Sequence, residues 1–178
     1  RNSINNTIDN NTVCENGNYG IYLRSSDTND VSNNYVSMTG RDAIFLDNSH
    51  DNIIRNNNAS TGNRLGFLIQ YSNYNIIINN TAYENRYGLG FSQGDSNIIK
   101  SNDFSNNDYG IYAYNLVDST FLENIISYNS NVGIYLTSST DSNLVFHNDL
   151  LNNTQQAVDD GSGNQWYNET LQEGNYWS

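Results

Sequence analysis

The chain has 178 residues, 36% of them hydrophobic, with no proline, one cysteine and a formal net charge of −12. That length suits one domain, and seven basic residues in so acidic a chain exclude the clustered lysine and arginine that nucleic acid or an anionic membrane surface requires. No stretch is long and apolar enough to span a bilayer, so membrane insertion is not expected, and no signal peptide is recognisable.

From its first residues the chain repeats itself. Asn11, Asn34, Asn57, Asn80, Asn102, Asn124 and Asn148 recur at 22 to 24 residues. Each is followed, eight or nine residues later, by a small residue that opens an apolar run: Gly20, Ala43, Gly66, Gly88, Gly110, Gly133 and Ala157. A fixed period of this size marks a solenoid, whose units bury their apolar faces only against their neighbours. Residues 1–160 read as about seven such coils and 161–178 as a C-terminal capping segment. Because the chain begins inside a repeat, it reads as an excised part of a longer protein.

One unit, from Asn75 to Asn97, carries three short strand-like pieces separated by turn chemistry, ending in a polar turn from Ser92 to Ser96. β-Branched and aromatic residues in runs of three to five suit strands, and no apolar 3.6 period lasts two turns. The expected fold is all-β, a three-sided parallel β-helix. Four columns supply its core. Ile8, Val31, Ile54, Ile77, Ile99, Phe121 and Val145 precede the asparagines, and Val13, Val36, Ala59, Ala82, Phe104, Ile126 and Leu150 follow them. The pairs from Ile21/Leu23 to Ile134/Leu136 flank the third set of turns. The asparagine column is expected to be a structural ladder. An inward amide bonds the turn backbone and the amide one coil away, about 4.8 Å along the axis, and asparagine tolerates left-handed turn geometry. A second polar column runs from Asn29 to Asn143. A third runs through Asn16, Asn85, Asn107, Asn129 and Asn153, with Thr39 and Gly62 standing in for asparagine.

The phrases Tyr19-Gly-Ile-Tyr-Leu23 and Val132-Gly-Ile-Tyr-Leu136, joined by Asn-x-Ile-x-x-Asn spacers, resemble the right-handed parallel β-helix repeat. The closer resemblance is to the family named after the periplasmic copper-binding protein NosD, in its archaeal surface-protein type. The tail, Val158-Asp-Asp-Gly-Ser-Gly-Asn-Gln-Trp166 and Gly174-Asn-Tyr-Trp-Ser178, is similar to that family's C-terminal segment. The resemblance implies a right-handed coil closed by Trp166, Tyr167, Tyr176 and Trp177. It does not carry a copper role across: soft-metal sites want Cys, Met or His together, and Cys14, Met38, His50 and His147 fall on different coils and faces. No cofactor is expected. Asp27, Asp47, Asp51, Asp95, Asp118 and Asp141 would hold Ca²⁺ weakly at most.

Function is left to outward columns. Tyr19, Asp42, Leu65, Tyr87, Tyr109 and Val132 precede the small residues; Tyr22, Phe45, Leu68, Gly90, Tyr112 and Tyr135 lie two after them. Flat rings at regular spacing suit sugar stacking, and equally suit neighbour-on-neighbour packing of a parallel sheet. Arg41, Arg64 and Arg86 stack in one file and either pair internally with Asp42, Glu15 or Glu84, or meet a uronate or sulfate group. The candidate glycan-binding set is therefore Tyr22, Phe45, Tyr87, Tyr109, Tyr112, Arg41, Arg64 and Arg86.

No catalytic grouping stands out. Asp159 and Asp160 are neighbours whose side chains point to opposite faces, and His50 and His147 are coils apart. Sequons at Asn5, Asn10, Asn58, Asn79, Asn152 and Asn168 suggest N-glycosylation, with Asn10 and Asn79 expected to point outward. With the acidity and low lysine content they point to an extracellular or cell-surface address. Cys14 forms no internal disulfide and leaves an intermolecular one open. Two readings follow. One is a non-catalytic module of a surface layer, sheath or filament that self-associates end to end through open sheet edges or joins other surface proteins. The other is a module that binds or cleaves an acidic polysaccharide.

Overall fold

The computed structural model describes residues 3–62 and 64–178. Its strands form three parallel sheets, each visited once per coil, in a β-solenoid of about seven turns. The first sheet runs from Thr7–Asp9 to Leu144–Phe146 and the second from Thr12–Cys14 to Asp149–Leu151. The third runs from Ile21–Arg24 to Gln155–Asp159. Register is strict: Ile54 pairs with Ile77, Ala59 with Ala82, Phe67 with Leu89. Each apolar column thus becomes a continuous file down the axis, and apart from Ile8 and Val13 in the first coil the columns expected to be inward are buried. Leu116 joins this core, although its position falls in a serine column.

The ladder expected of the asparagines is present. The Asn80 amide oxygen accepts the backbone N–H of Asn57 at 2.9 Å and its amide at 3.0 Å. The Asn80 amide nitrogen donates to the carbonyl of Ile54 at 2.8 Å and to the amide oxygen of Asn102 at 3.0 Å. Each buried turn therefore has its polar groups met by a side chain that uses both donors and both acceptor sites. The second column repeats this through Asn29, Asn52 and Asn75. A further ladder, Ser26, Ser49 and Ser72, closes the turn after the third sheet, the backbone N–H of Ser26 bonded to the Ser49 hydroxyl and that of Ser49 to the Ser72 hydroxyl.

The left-handed residue is not the ladder asparagine but the one before it. Asn10, Asn33, Asn56, Asn79, Ser101, Glu123 and His147 all have φ between 54° and 60°. The turn needs one left-handed step to swing the next side chain inward, and the outward residue takes it. The expected polar turn at Ser92–Ser96 also differs: the strand Tyr87–Asp95 continues through it, with Gln93 at φ 66°.

The tail adds most of another coil. Tyr176–Trp177 joins the second sheet beside Asp149–Leu151. Asn164 accepts from Asn143, and Asn175 from Asn148, so two ladders run on into the tail. Trp166 packs against the end of the core and meets Trp177 at 5.7 Å between ring centroids. Tyr167, Tyr176 and Trp177 stand exposed, so of the four expected aromatics Trp166 is the one packed on the core.

Candidate functional site

The outer face of the third sheet carries three rows set by register. Tyr22, Phe45, Leu68, Gly90, Tyr112 and Tyr135 make one row. Asp42, Leu65, Tyr87, Tyr109 and Val132 make the second. Arg24, Asp47, Gln70, Ser92 and Tyr114 make the third. Alternation with core residues such as Ile44 and Leu46 turns the first and third rows out. The second row lies two residues before the core residues and still faces out, because the small residue between them interrupts the alternation; Leu65 accordingly packs with Phe45 and Leu68 outside the main core.

The rings gather in two groups. Tyr22 stacks on Phe45 at 4.8 Å and 8°, with Tyr19 tilted against both. Tyr87 stacks on Tyr109 at 5.1 Å and meets Tyr112 at 5.3 Å, which continues edge-on to Tyr135. Phe45 is only 6% exposed beneath this packing, so it offers no ring face to a ligand and drops from the candidate set. Tyr22 remains 41% exposed. Burial raises the hydroxyl pKa of Tyr22 and Tyr112, and the Asp160 carboxylate raises that of Tyr135. These hydroxyls stay protonated at neutral pH and act as donors or acceptors of hydrogen bonds, not as bases.

The three arginines do not form a repelling file. Arg41 lies over the Tyr19 ring at 5.3 Å and Arg86 over Tyr87 at 5.2 Å, so π faces spread the charges apart. Arg64 turns its Nε to Asp42 Oδ1 at 3.9 Å. Of the acids expected to pair with this file, Asp42 does so; among the described residues Glu15 and Glu84 make no ion pair with it. Asp42 is fully buried, and neither carboxylate oxygen has a hydrogen-bond partner. Burial pushes its pKa up, against the opposing pull of Arg64 and Arg41 and of the nearby Leu65 amide, which approaches without making a well-formed bond.

Beside Arg64 the face opens into a notch of about 240 Å³, lined by Leu65, Leu68, Tyr87, Gly90, Tyr112 and Tyr114 among others. Its cause is a missing side chain. Gly90 pairs laterally with Leu68 and Tyr112, and the flanking positions hold Leu65, Tyr87, Tyr109, Gln70, Ser92 and Tyr114. A Cβ on Gly90 would come within 2.3 Å of the tip of Leu65. The sequence signal for this notch is a glycine in an otherwise bulky outward row.

The remaining sequence candidates are dispersed. Asn5, Asn10, Asn79 and Asn152 stand exposed, while Asn58 is half-buried with its amide oxygen sealed, and Asn168 uses its oxygen on the backbone amides of Thr170 and Leu171. Asp159 binds within the tail and Asp160 binds Tyr135, so the two carboxylates do face apart. The donor set does not fit a copper ion. His50 Nδ1 accepts the Asn73 amide, His147 Nδ1 faces Glu173 at 3.7 Å, Cys14 accepts from Ser37 and Met38 is exposed on its own turn. Among the described residues no three His, Cys, Asp or Glu side chains group to hold a metal, the turn aspartates included. Among the described residues no helix is long and apolar enough to cross a membrane.

Among solved structures the fold is similar to the periplasmic alginate epimerase AlgG, at 19% identity and TM-score 0.79 over 86% of this chain and 42% of that one. A double mutant of AlgG gives TM-score 0.85 over 92% and 45%. The A-module of the Azotobacter vinelandii mannuronan C-5 epimerase AlgE6 matches at 14% identity and TM-score 0.69, over 91% of this chain and 58% of that one. The chain thus spans less than half of AlgG, and identities this low establish the fold alone. No curated protein matches the chain. The family model described as "Periplasmic copper-binding protein (NosD)" matches residues 1–61 and 39–178, and the chain belongs to that family as a parallel β-helix repeat domain.

Proposed function

We propose that this chain is an extracytoplasmic β-helix module that binds an acidic polysaccharide along the outer face of its third sheet. The observation that carries the reading is the run of half-exposed tyrosines with Arg64 and an open notch between them. Rings supply flat apolar area and protonated hydroxyls supply orientation, the combination that suits pyranose units. Guanidinium groups complement the carboxylates of a uronate chain. Support also comes from neighbours of the same fold that are epimerases named for alginate and mannuronan, both acidic polysaccharides. Binding is preferred to turnover because Asp42 is sealed from solvent and the tyrosine hydroxyls are held protonated. Affinity electrophoresis in gels cast with alginate or polygalacturonate tests the reading. Retardation that fades with salt supports it, and unretarded migration with every acidic glycan overturns it.

A second reading, association with other copies or other surface proteins, draws on the first sheet. Its outer face aligns Ile53, Ile76 and Ile98 in register, with Ile53 and Ile98 about two-fifths exposed. The exposure of this apolar row makes side-by-side contact the form we favour over end-to-end stacking. Sedimentation velocity at rising concentration would reveal it, and a strictly monomeric boundary would count against it.

A further inference from the structure

The notch at Gly90 has the features of a single built subsite. Gly90 sits on the outer face where each surrounding position carries a side chain, and leucine and tyrosine supply most of the wall. At about 240 Å³ it falls below the ~300–1,000 Å³ typical of drug-sized ligand sites. One ring fits it; several do not. Its lining is apolar on the Leu65 and Leu68 side, aromatic on the Tyr87, Tyr112 and Tyr114 side, and cationic only at Arg64.

Asp42 gives the site its polarity. Arg41 and Arg86 are drawn onto Tyr19 and Tyr87, whereas Arg64 faces a fully buried carboxylate through Nε. With Nε turned to the acid, the two terminal nitrogens form the edge that meets a carboxylate with paired hydrogen bonds. The Asp42 oxygens have no hydrogen-bond partner, so the pull on Arg64 is that of charge across 3.9 Å.

We infer that the Gly90 notch is a subsite for one hexuronate residue within a polysaccharide chain, its ring between the leucine and tyrosine walls of the notch and its carboxylate on Arg64. Gly90 and Arg64 are then the residues that set specificity, the first by admitting the ring and the second by requiring the acid. This inference rests on the reading of the third sheet as a polysaccharide-binding face, and it adds where along that face the ring sits.

Titration calorimetry with oligogalacturonates and oligomannuronates of four to eight units, and with their carboxyl-reduced counterparts, tests it on the intact chain. The wild type is expected to bind an acidic oligosaccharide and to lose about 10- to 100-fold in affinity for the reduced one, the size of one charge-assisted contact. Gly90→Leu fills the notch and should abolish binding; its Cβ is crowded only by the tip of Leu65. Arg64→Gln should lose about the same 10- to 100-fold for the acidic ligand and leave the reduced ligand unaffected. Unfolding midpoints of both variants separate a folding defect from a binding one, and Arg64→Gln alters an exposed group and keeps the test alive if Gly90→Leu fails to fold. Acidic-ligand binding that survives both substitutions overturns the subsite while leaving the binding face in place. Equal affinity for acidic and reduced ligands overturns the role of Arg64. No binding of any acidic oligosaccharide to the wild type overturns the subsite together with the broader reading.

Discussion

Asp42 and Arg64 face each other across neighbouring coils beside the third sheet, Oδ1 to Nε at 3.9 Å, with the carboxylate fully buried and the guanidinium about half in solvent. The pair is lopsided. Desolvation falls on the acid alone, while the arginine keeps its water, so the attraction is too weak to repay the burial.

That imbalance sets a pH dependence. Burial holds the Asp42 pKa above its ordinary value of 3.8. Between the unfolded and folded values the native state keeps a proton that the unfolded chain has released. Stability therefore falls as pH rises through that window and stays lowered above it. Asp42→Asn removes the penalised charge, and it should raise the urea midpoint at pH 7 while matching the wild type near pH 3.5. A variant that is less stable at pH 7 would mean that the arginines outweigh burial.

The asparagine ladder should be strongest at mid-stack. Replacing Asn80 by Ala strands the Asn57 N–H and the Ile54 carbonyl in a dry turn, and unmet buried groups cost about 1–3 kcal/mol each. The expected loss is about 3–5 kcal/mol in urea unfolding. Asn11 lies exposed in the first coil and bonds only the Asp9 carbonyl and Asn34 through its side chain, so Asn11→Ala should cost about 1 kcal/mol or less. Equal losses at the two sites would refute a ladder whose strength depends on burial.

The third ladder has a gap that can be filled. Gly62 stands where asparagine belongs; its N–H bonds the Asn85 amide oxygen, and the nearby Thr39 hydroxyl is buried without a partner. Gly62 does not have positive φ, so a side chain is not barred by the backbone. Its Cβ would meet the Asn85 amide oxygen at 2.7 Å, closer than side chains approach, so that oxygen must shift while becoming the new amide's acceptor. Gly62→Asn should gain about 1 kcal/mol from the restored bond and the stiffer unfolded chain. A lowered thermal midpoint would show that Asn85 does not yield.

Depth was legible in the sequence because period fixes it: Ile54, Ile77 and Ile99 share one position, and one position has one environment. Lateral packing on the outside was not. The same outward row holds Tyr22, open on one face, and Phe45, closed beneath its neighbours, because exposure there depends on which ring leans where. Asp42 reads as one more surface acid until its burial beside Arg41 and Arg64 is seen. The left-handed residues were misplaced by one step because asparagine fills both roles, at Asn79 the turn and at Asn80 the ladder. In the tail, Asn164 and Asn175 continue two ladders at spacings of 21 and 27, outside the period that revealed the rest.

Asp159 is the point where the tail is tied down. Its Oδ1 accepts from the Gly161 backbone amide at 3.0 Å and from Asn164 at 2.9 Å, and its Oδ2 from the Trp166 indole at 2.8 Å. Trp166 is in turn the side chain that packs on the end of the core, and its carbonyl accepts from Asn175, the last rung of the main ladder. One carboxylate thus orients the rung, the plug and the loop between them. Asp160, one residue on, faces the other way and holds only the exposed Tyr135 hydroxyl. Asp159→Ala should therefore speed amide exchange throughout 161–178 and lower the thermal midpoint, with coils before Asn124 unchanged, because coupling in a solenoid runs between neighbours. Asp160→Ala should stay within about 0.5 kcal/mol of the wild type, as exposed pairs do. If the two alanine variants exchange alike, the tail is held by strand pairing at Tyr176–Trp177 and not by the aspartate.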